Sequence, residues 1–276
     1  VDAGSWTACT ASDGSFNASS ENYTCTIASA LANGTHTVYV RTSDILNNIS
    51  DGTVSDTFDV DLLGPTVDAM ANRSENAQFN QDANTSGATS WAWTYAGPGT
   101  VTFGSPTAED TTISADTDGS YTITLTVSDA LSRTDSASFT LIWDTTAPNI
   151  SIVPVSPDPT GDATPTFTGT STDALLDIAG VEYKVDAGSW TACTASDGSF
   201  DSSSENYTCT VASALSDGSH TVYVRASDTL GNTSNGSVSD VFEVDLAGPT
   251  VSAMSNREEN AQFNQDANTS GATSWA

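Results

Sequence analysis

Residues Val1 to Ala92 recur without a gap as Val185 to Ala276, with 74 of 92 aligned positions identical. A period of 184 residues is too long for one supersecondary unit, so whole domains are duplicated and the fold must be one that strings in tandem. The 18 differences are mild and scattered, among them Ile27 against Val211, Asn33 against Asp217, Thr35 against Ser219 and Asp59 against Glu243. They have the character of drift within an array.

A fainter similarity lies inside the period. The stretch "DGSYTITLTVSDALS" from Asp118 matches "DGSHTVYVRASDTLG" from Asp217, and "WDTTAP" from Trp143 matches "VDLAGP" from Val244. The 184-residue unit is therefore two related modules. Measured between the prolines that end these motifs, Pro65 to Pro148 spans 83 residues and Pro148 to Pro249 spans 101, both ordinary lengths for a β-sandwich. The expected organisation is a partial long-type module over 1–64 without its opening strands, then a short-type module over 65–147. A long-type module follows over 148–248, and the first strands of another short-type module over 249–276. The chain is accordingly expected to be a window on a longer array. Head-to-tail strand donation is disfavoured, because the back of a long module and the front of a short one do not complete each other.

Gly, Asn and Asp punctuate the sequence about every ten residues, and no stretch sustains the 3.6-residue apolar period of a helix. Strand alternation is frequent. Tyr121, Ile123, Leu125 and Val127 oppose Thr122, Thr124 and Thr126, the pattern of a strand with one dry and one wet face. His220, Val222 and Val224 alternate with Thr221, Tyr223 and Arg225, and Phe139, Leu141 and Trp143 follow the same rule. The expected fold class is all-β: tandem immunoglobulin-like antiparallel sandwiches of Greek-key type, arranged as an extended rod.

The segment "SWAWTYAGPGTVTF" followed by "DGSYTITLTVSDA", Ser90 to Ala130, resembles a polycystic-kidney-disease-type (PKD-like) domain. The long module, with "VEYKVDAGSW", "DGSHTVYVRASDTLGNTS" and the closing "DLAGP", is similar to the bacterial Ig-like repeats of large surface adhesins. Together these resemblances cover essentially the whole chain. They imply an extracellular or cell-surface repeat protein, and they specify fold more than function, since such modules serve in adhesins, surface layers and as spacers of secreted enzymes.

Six Lys and Arg against 35 Asp and Glu give a net charge of -29, which repels phosphate and excludes nucleic acid and anionic membranes as natural partners. No apolar run is long enough to span a bilayer. The four cysteines fall at equivalent places in the two long modules, and the reading pairs Cys9 with Cys25 and Cys193 with Cys209. Free thiols and a metal pair are the alternatives. The absence of a neighbouring histidine makes a zinc site poor, while disulfides imply an oxidising compartment.

Eleven Asn-X-Ser/Thr sequons, at Asn17, Asn22, Asn33, Asn48, Asn72, Asn84, Asn149, Asn206, Asn232, Asn235 and Asn268, are candidate N-glycosylation sites; accidental sequons from a Ser/Thr-rich composition are the alternative. Carboxylates gather near the module junctions. Asp59, Asp61, Asp144 and Asp245 are candidate calcium ligands, with the "SD" turns at Asp44, Asp129 and Asp228 able to join them, since calcium prefers oxygen donors. Solvated turn residues capping strand ends are the alternative. His36 and His220, at equivalent repeat positions, are read as structural, because no nucleophile with an orienting acid accompanies them. Trp91 and Trp93 share a strand face and are read as core, a sugar-stacking platform being the alternative. Lys184, the only lysine, argues against a general scheme of Lys-Asn crosslinks.

The junctions "VDLLGPTV" and "WDTTAPNI" pass from one module to the next through a single proline that stiffens the backbone. The functional expectation is a structural, non-enzymatic segment of an extracellular filament or surface stalk whose partners are further copies of its own repeat. Ligand-binding adhesin repeats that grip surface glycans or proteins, and spacers of a secreted hydrolase, are the alternatives. No cofactor is expected apart from calcium at the junctions.

Overall fold

The computed structural model describes residues 1–253 together with 269 and 270. Every regular element among them is a β-strand. Contacts divide the chain into two compact units: Val1–Asp68 with Ala83–Ala92 and Leu125–Ala137, and Ala69–Asp82 with Trp93–Thr124 and Ser138–Ala276. The division runs through the short module.

In the first unit, the hairpin Gly34–Val40 with Val54–Val60 sets His36 opposite Phe58 and Val38 opposite Asp56. A short ladder, Thr10–Ala11 on Tyr23–Thr24, brings the flanking Cys9 and Cys25 into a disulfide with a Cα separation of 4.4 Å. Thr66–Val67 pairs with Thr85–Ser86.

The second unit holds a complete sandwich. One sheet runs in the order Asn149–Val153, Thr166–Thr172, Ser204–Thr210, Thr194–Ala195, and the facing sheet in the order Thr191–Ala192, Ile178–Val185, Gly218–Asp228, Val238–Val244. Each long strand alternates as the sequence alternates, so that Phe167, Tyr207 and Cys209 from one sheet close on Val181, Tyr183, Val222, Val224 and Phe242 from the other. Tyr207 donates its hydroxyl to the Ser151 carbonyl at 2.7 Å, which satisfies a polar group at the centre of the core. Gly169 leaves room for that hydroxyl: a Cβ there would lie 2.0 Å from the Ser151 carbonyl and 2.4 Å from the Tyr207 oxygen. The Cys193–Cys209 disulfide, with a Cα separation of 4.6 Å, joins the edge of the first sheet to the start of this core.

The second unit also contains the ladder of Val101–Phe103, Thr111–Ala115 and Phe79–Gln81. The strand Arg73–Glu75 lies parallel to the end of Thr134–Trp143. Tyr121, Ile123, Leu125, Val127, Phe139, Leu141 and Trp143 are all buried, as their alternation requires. Thr250–Val251 pairs with Thr269–Ser270; most of the expected partial module over 249–276 lies outside the described residues.

Equivalent residues are differently covered in the two long-type segments. Tyr207 is fully buried, whereas its counterpart Tyr23 is 45% exposed. The strands that cover Tyr207, Asn149–Val153 and Thr166–Thr172, belong to the part of the long module that precedes the repeated stretch beginning at Val185.

Candidate functional site

A feature that recurs along the chain is the joint between modules, and it is assembled from three parts. The first is an aspartate that ends the closing strand: Asp61, Asp144 and Asp245 each accept the backbone N–H two residues on, from Leu63, Thr146 and Ala247, at 3.0 Å. Such an Asx turn fixes the linker's exit from the strand. The second is the residue before the glycine that opens a long strand. Asn33, Asp118 and Asp217 accept the N–H of the residue following each joint aspartate, from Leu62 at 2.6 Å, Thr145 at 2.9 Å and Leu246 at 2.7 Å. Gly34, Gly119 and Gly218 follow with φ of 132°, 151° and 127°, a conformation that strongly favours glycine.

The third part is a turn in the next module. At Asp44, Asp129 and Asp228 the aspartate accepts the N–H groups of residues two and four positions later at 2.8–3.0 Å. Its second oxygen accepts the side chain of the residue four later: Asn48 and Asn232 at 2.7 Å, Arg133 at 2.6 Å. The residue three later has positive φ in every copy, 64° at Asn47, 63° at Ser132 and 83° at Gly231, and Asn and Gly tolerate this conformation best.

The side chain four residues past the turn aspartate then reaches the preceding joint. Arg133 donates to the Asp61 carbonyl at 3.0 Å and to its carboxylate at 2.7 Å. Asn232 donates to the Asp144 carbonyl at 2.9 Å, and Asn76 donates to the Asn232 side-chain oxygen at 3.0 Å and the Leu230 carbonyl at 3.2 Å.

The two joints differ in charge. Arg133 bridges Asp129 and Asp61. At the other joint Asp144, Asp173 and Asp228 offer carboxylate oxygens within 4.8 Å of one another, and Asp144 and Asp228 are each 1% exposed. One oxygen of Asp144 is buried with no hydrogen-bond partner. Burial pushes the Asp144 carboxyl above the usual carboxylate range, and nearby Asp173, Asp118 and Asp228 push it the same way against the opposing Thr146 N–H.

Of the four junction carboxylates singled out in the sequence, Asp144 alone belongs to such a cluster among the described residues. Asp59 sits on a strand and accepts the Thr35 hydroxyl. Asp61 is paired to Arg133, and Asp245 is engaged in its own turn. The turn aspartate Asp228 does join Asp144. Sequence reasoning missed Asp173, which sits in a loop without a signature, and Arg133. Aligning "SDALSRT" with "SDTLGNT" would have set Arg133 against Asn232.

The histidines carry identical settings. In each, Nδ1 lies 2.8 Å from a carboxylate, Asp2 or Asp186, and Nε2 lies 2.9 Å from a carbonyl, Ala32 or Ser216. Both ring nitrogens thus face acceptors, which raises the histidine pKa and leaves neither nitrogen directed at a nucleophile. Trp93 is buried and donates to the Ala108 carbonyl at 3.0 Å, while Trp91 is half-buried and donates to Thr85 at 3.2 Å. Among the sequons, Asn149 and Asn206 are exposed and Asn232 is half-buried within the joint. Asn268 lies outside the described residues.

The chain is a tandem-repeat protein of immunoglobulin-like β-modules. Residues 155–246 match the family model of the bacterial Ig-like domain, and residues 64–142 match that of the PKD domain; the stretch between the matches holds Asp144. Similar solved structures include the I-band fragment I67-I69 from titin, at 19% identity and TM-score 0.41, covering 67% of this chain and 66% of that one. A tetra-tandem repeat from the extending region of a large adhesion protein is 22% identical with TM-score 0.33, covering 88% and 67%. The fibronectin(III)-like modules of Clostridium thermocellum CbhA are 16% identical with TM-score 0.32, covering 65% and 93%. No curated protein matches the chain. Modules of this fold are typically non-catalytic and structural.

Proposed function

We propose that this chain is a structural segment of an extracellular filament or cell-surface stalk, in which tandem modules are joined through repeated hydrogen-bonded latches and the partners along the filament are further copies of the repeat. The observation that carries the reading is the recurrence of one joint design at Asp61 and Asp144, with its first two parts present again at Asp245. Loops selected to grip a ligand would instead concentrate variation in one loop set, and the 18 repeat differences are scattered. Disulfides in both long-type segments favour an oxidising, extracellular setting, and the strongly acidic surface keeps neighbouring copies from clumping.

Electron microscopy of the native material tests this. A continuous thin fibre with sandwich-sized lobes of alternating type supports it. Isolated particles of two or three modules would overturn it in favour of adhesin or spacer fragments.

A further inference from the structure

Superposing the two joints by their repeat pattern aligns Asp61 with Asp144, Asp129 with Asp228, and Arg133 with Asn232. At the first joint one guanidinium bridges both carboxylates, at 2.6 Å from Asp129 and 2.7 Å from Asp61, and offsets one of their two charges. At the second, Asn232 keeps the bonds to the joint carbonyl and the turn carboxylate, makes none to the Asp144 carboxylate, and brings no charge. There the two equivalent carboxylates are nearly fully buried, a third from Asp173 is added, and one Asp144 oxygen has no hydrogen-bond partner. Like charges this close and this dry repel strongly unless one of them takes up a proton or a cation lies among them.

We infer that successive joints are closed by different cations: the Arg133 guanidinium at the Asp61 joint, and an exchangeable divalent cation, calcium by its chemistry, held by Asp144, Asp173 and Asp228 at the Asp144 joint. The inference rests on the structural reading of the joints and adds a regulation to it, since the Asp144 joint then responds to the medium. All donors are carboxylate oxygens, which suit calcium or magnesium and disfavour zinc. They come from three separate segments, a spread that the variable coordination of calcium tolerates better than the strict octahedron of magnesium. Water completes the shell. The other acidic group, Asp197, Asp201 and Glu205, lacks this character. Its first two members are exposed, Glu205 accepts the Asp201 N–H, and Asp201 accepts the Ser199 hydroxyl.

The test is calorimetric titration of the full chain with calcium chloride at roughly 0.15 M salt, which screens diffuse binding to an acidic surface. Saturable binding at about 0.1–1 mM, the range of extracellular modules, is expected, with a thermal midpoint that rises with calcium. Asp144→Asn and Asp173→Asn should each weaken binding at least about tenfold, one decade corresponding to about 1.4 kcal/mol, while Asp197→Asn leaves it unchanged. Arg133→Gln should lower the midpoint equally with and without calcium. Asp173→Asn, at a half-buried loop position, decides the matter should Asp144→Asn fail to fold. No saturable binding up to about 10 mM, well above that range, or full binding in Asp173→Asn, would overturn the inference. Either result leaves the fibre seen by microscopy untouched, so the two readings fail separately.

Discussion

Asn232 donates its side-chain amide to the backbone carbonyl of Asp144, 88 residues earlier in the chain, at 2.9 Å. The same amide donates to the Asp228 carboxylate at 2.7 Å, so both of its hydrogens are committed. Attaching a glycan replaces one of them and puts a bulky sugar into the joint. In a glycosylating host, glycopeptide mass spectrometry should therefore find Asn232 unmodified although it stands in a sequon, with any occupancy falling on exposed sites such as Asn149 and Asn206.

Gly169 and Tyr207 form a second dependence. Gly169→Ala drives a methyl group into the Ser151 carbonyl and the Tyr207 hydroxyl, and overpacking of this kind costs about 3 kcal/mol. Tyr207→Phe removes one buried hydrogen bond and costs about 1 kcal/mol. Urea denaturation of the full chain should rank them in that order.

Removing the Cys193–Cys209 link as a double alanine variant releases a loop with a sequence separation of 16. Loop-closure entropy places the loss at about 3 kcal/mol. Reduction of the wild-type protein, which opens Cys9–Cys25 as well, should lower the unfolding midpoint at least as far, and insensitivity to reductant would show that the bridges contribute little.

His220 titrates above its ordinary value of 6.5, because the hydrogen bond to Asp186 and that to the Ser216 carbonyl favour the charged ring against the effect of burial. A raised folded-state pKa means that the stabilisation is complete below pH 6.5 as far as the histidine is concerned, and fades as pH rises through the folded value. An NMR titration should place the His220 midpoint above 6.5, and Asp186→Asn should bring it back down.

Much of the fold was legible in the sequence because it rests on alternation and repetition. The dry faces of Gly119–Ser128 and Gly218–Asp228 follow their apolar residues, and the duplicated cysteines mark their own loop. The joint was legible in outline, as acidic residues and "SD" turns beside a proline. Its chemistry was not, because hydrogen bonds such as Arg133 to Asp61 span 72 residues, and no local pattern encodes which turn meets which linker. Asp59 was grouped with the junction by proximity in sequence, yet strand geometry points it toward Thr35. Asp173 reaches Asp144 because the neighbouring Thr172 pairs opposite Asn149 across adjacent strands, which periodicity cannot register.

The central claim is that the turn side chain of one module holds the preceding joint. It is tested most directly by electron–electron resonance distances between spin labels placed at Thr122→Cys and Ser219→Cys, both exposed positions on either side of the Asp144 joint. Asn232→Ala removes the amide bonds to Asp144 and Asp228, each worth about 1 kcal/mol, and should broaden a single narrow distance distribution markedly. A distribution equally narrow with and without Asn232 would contradict the claim and show that the joint is held by something else.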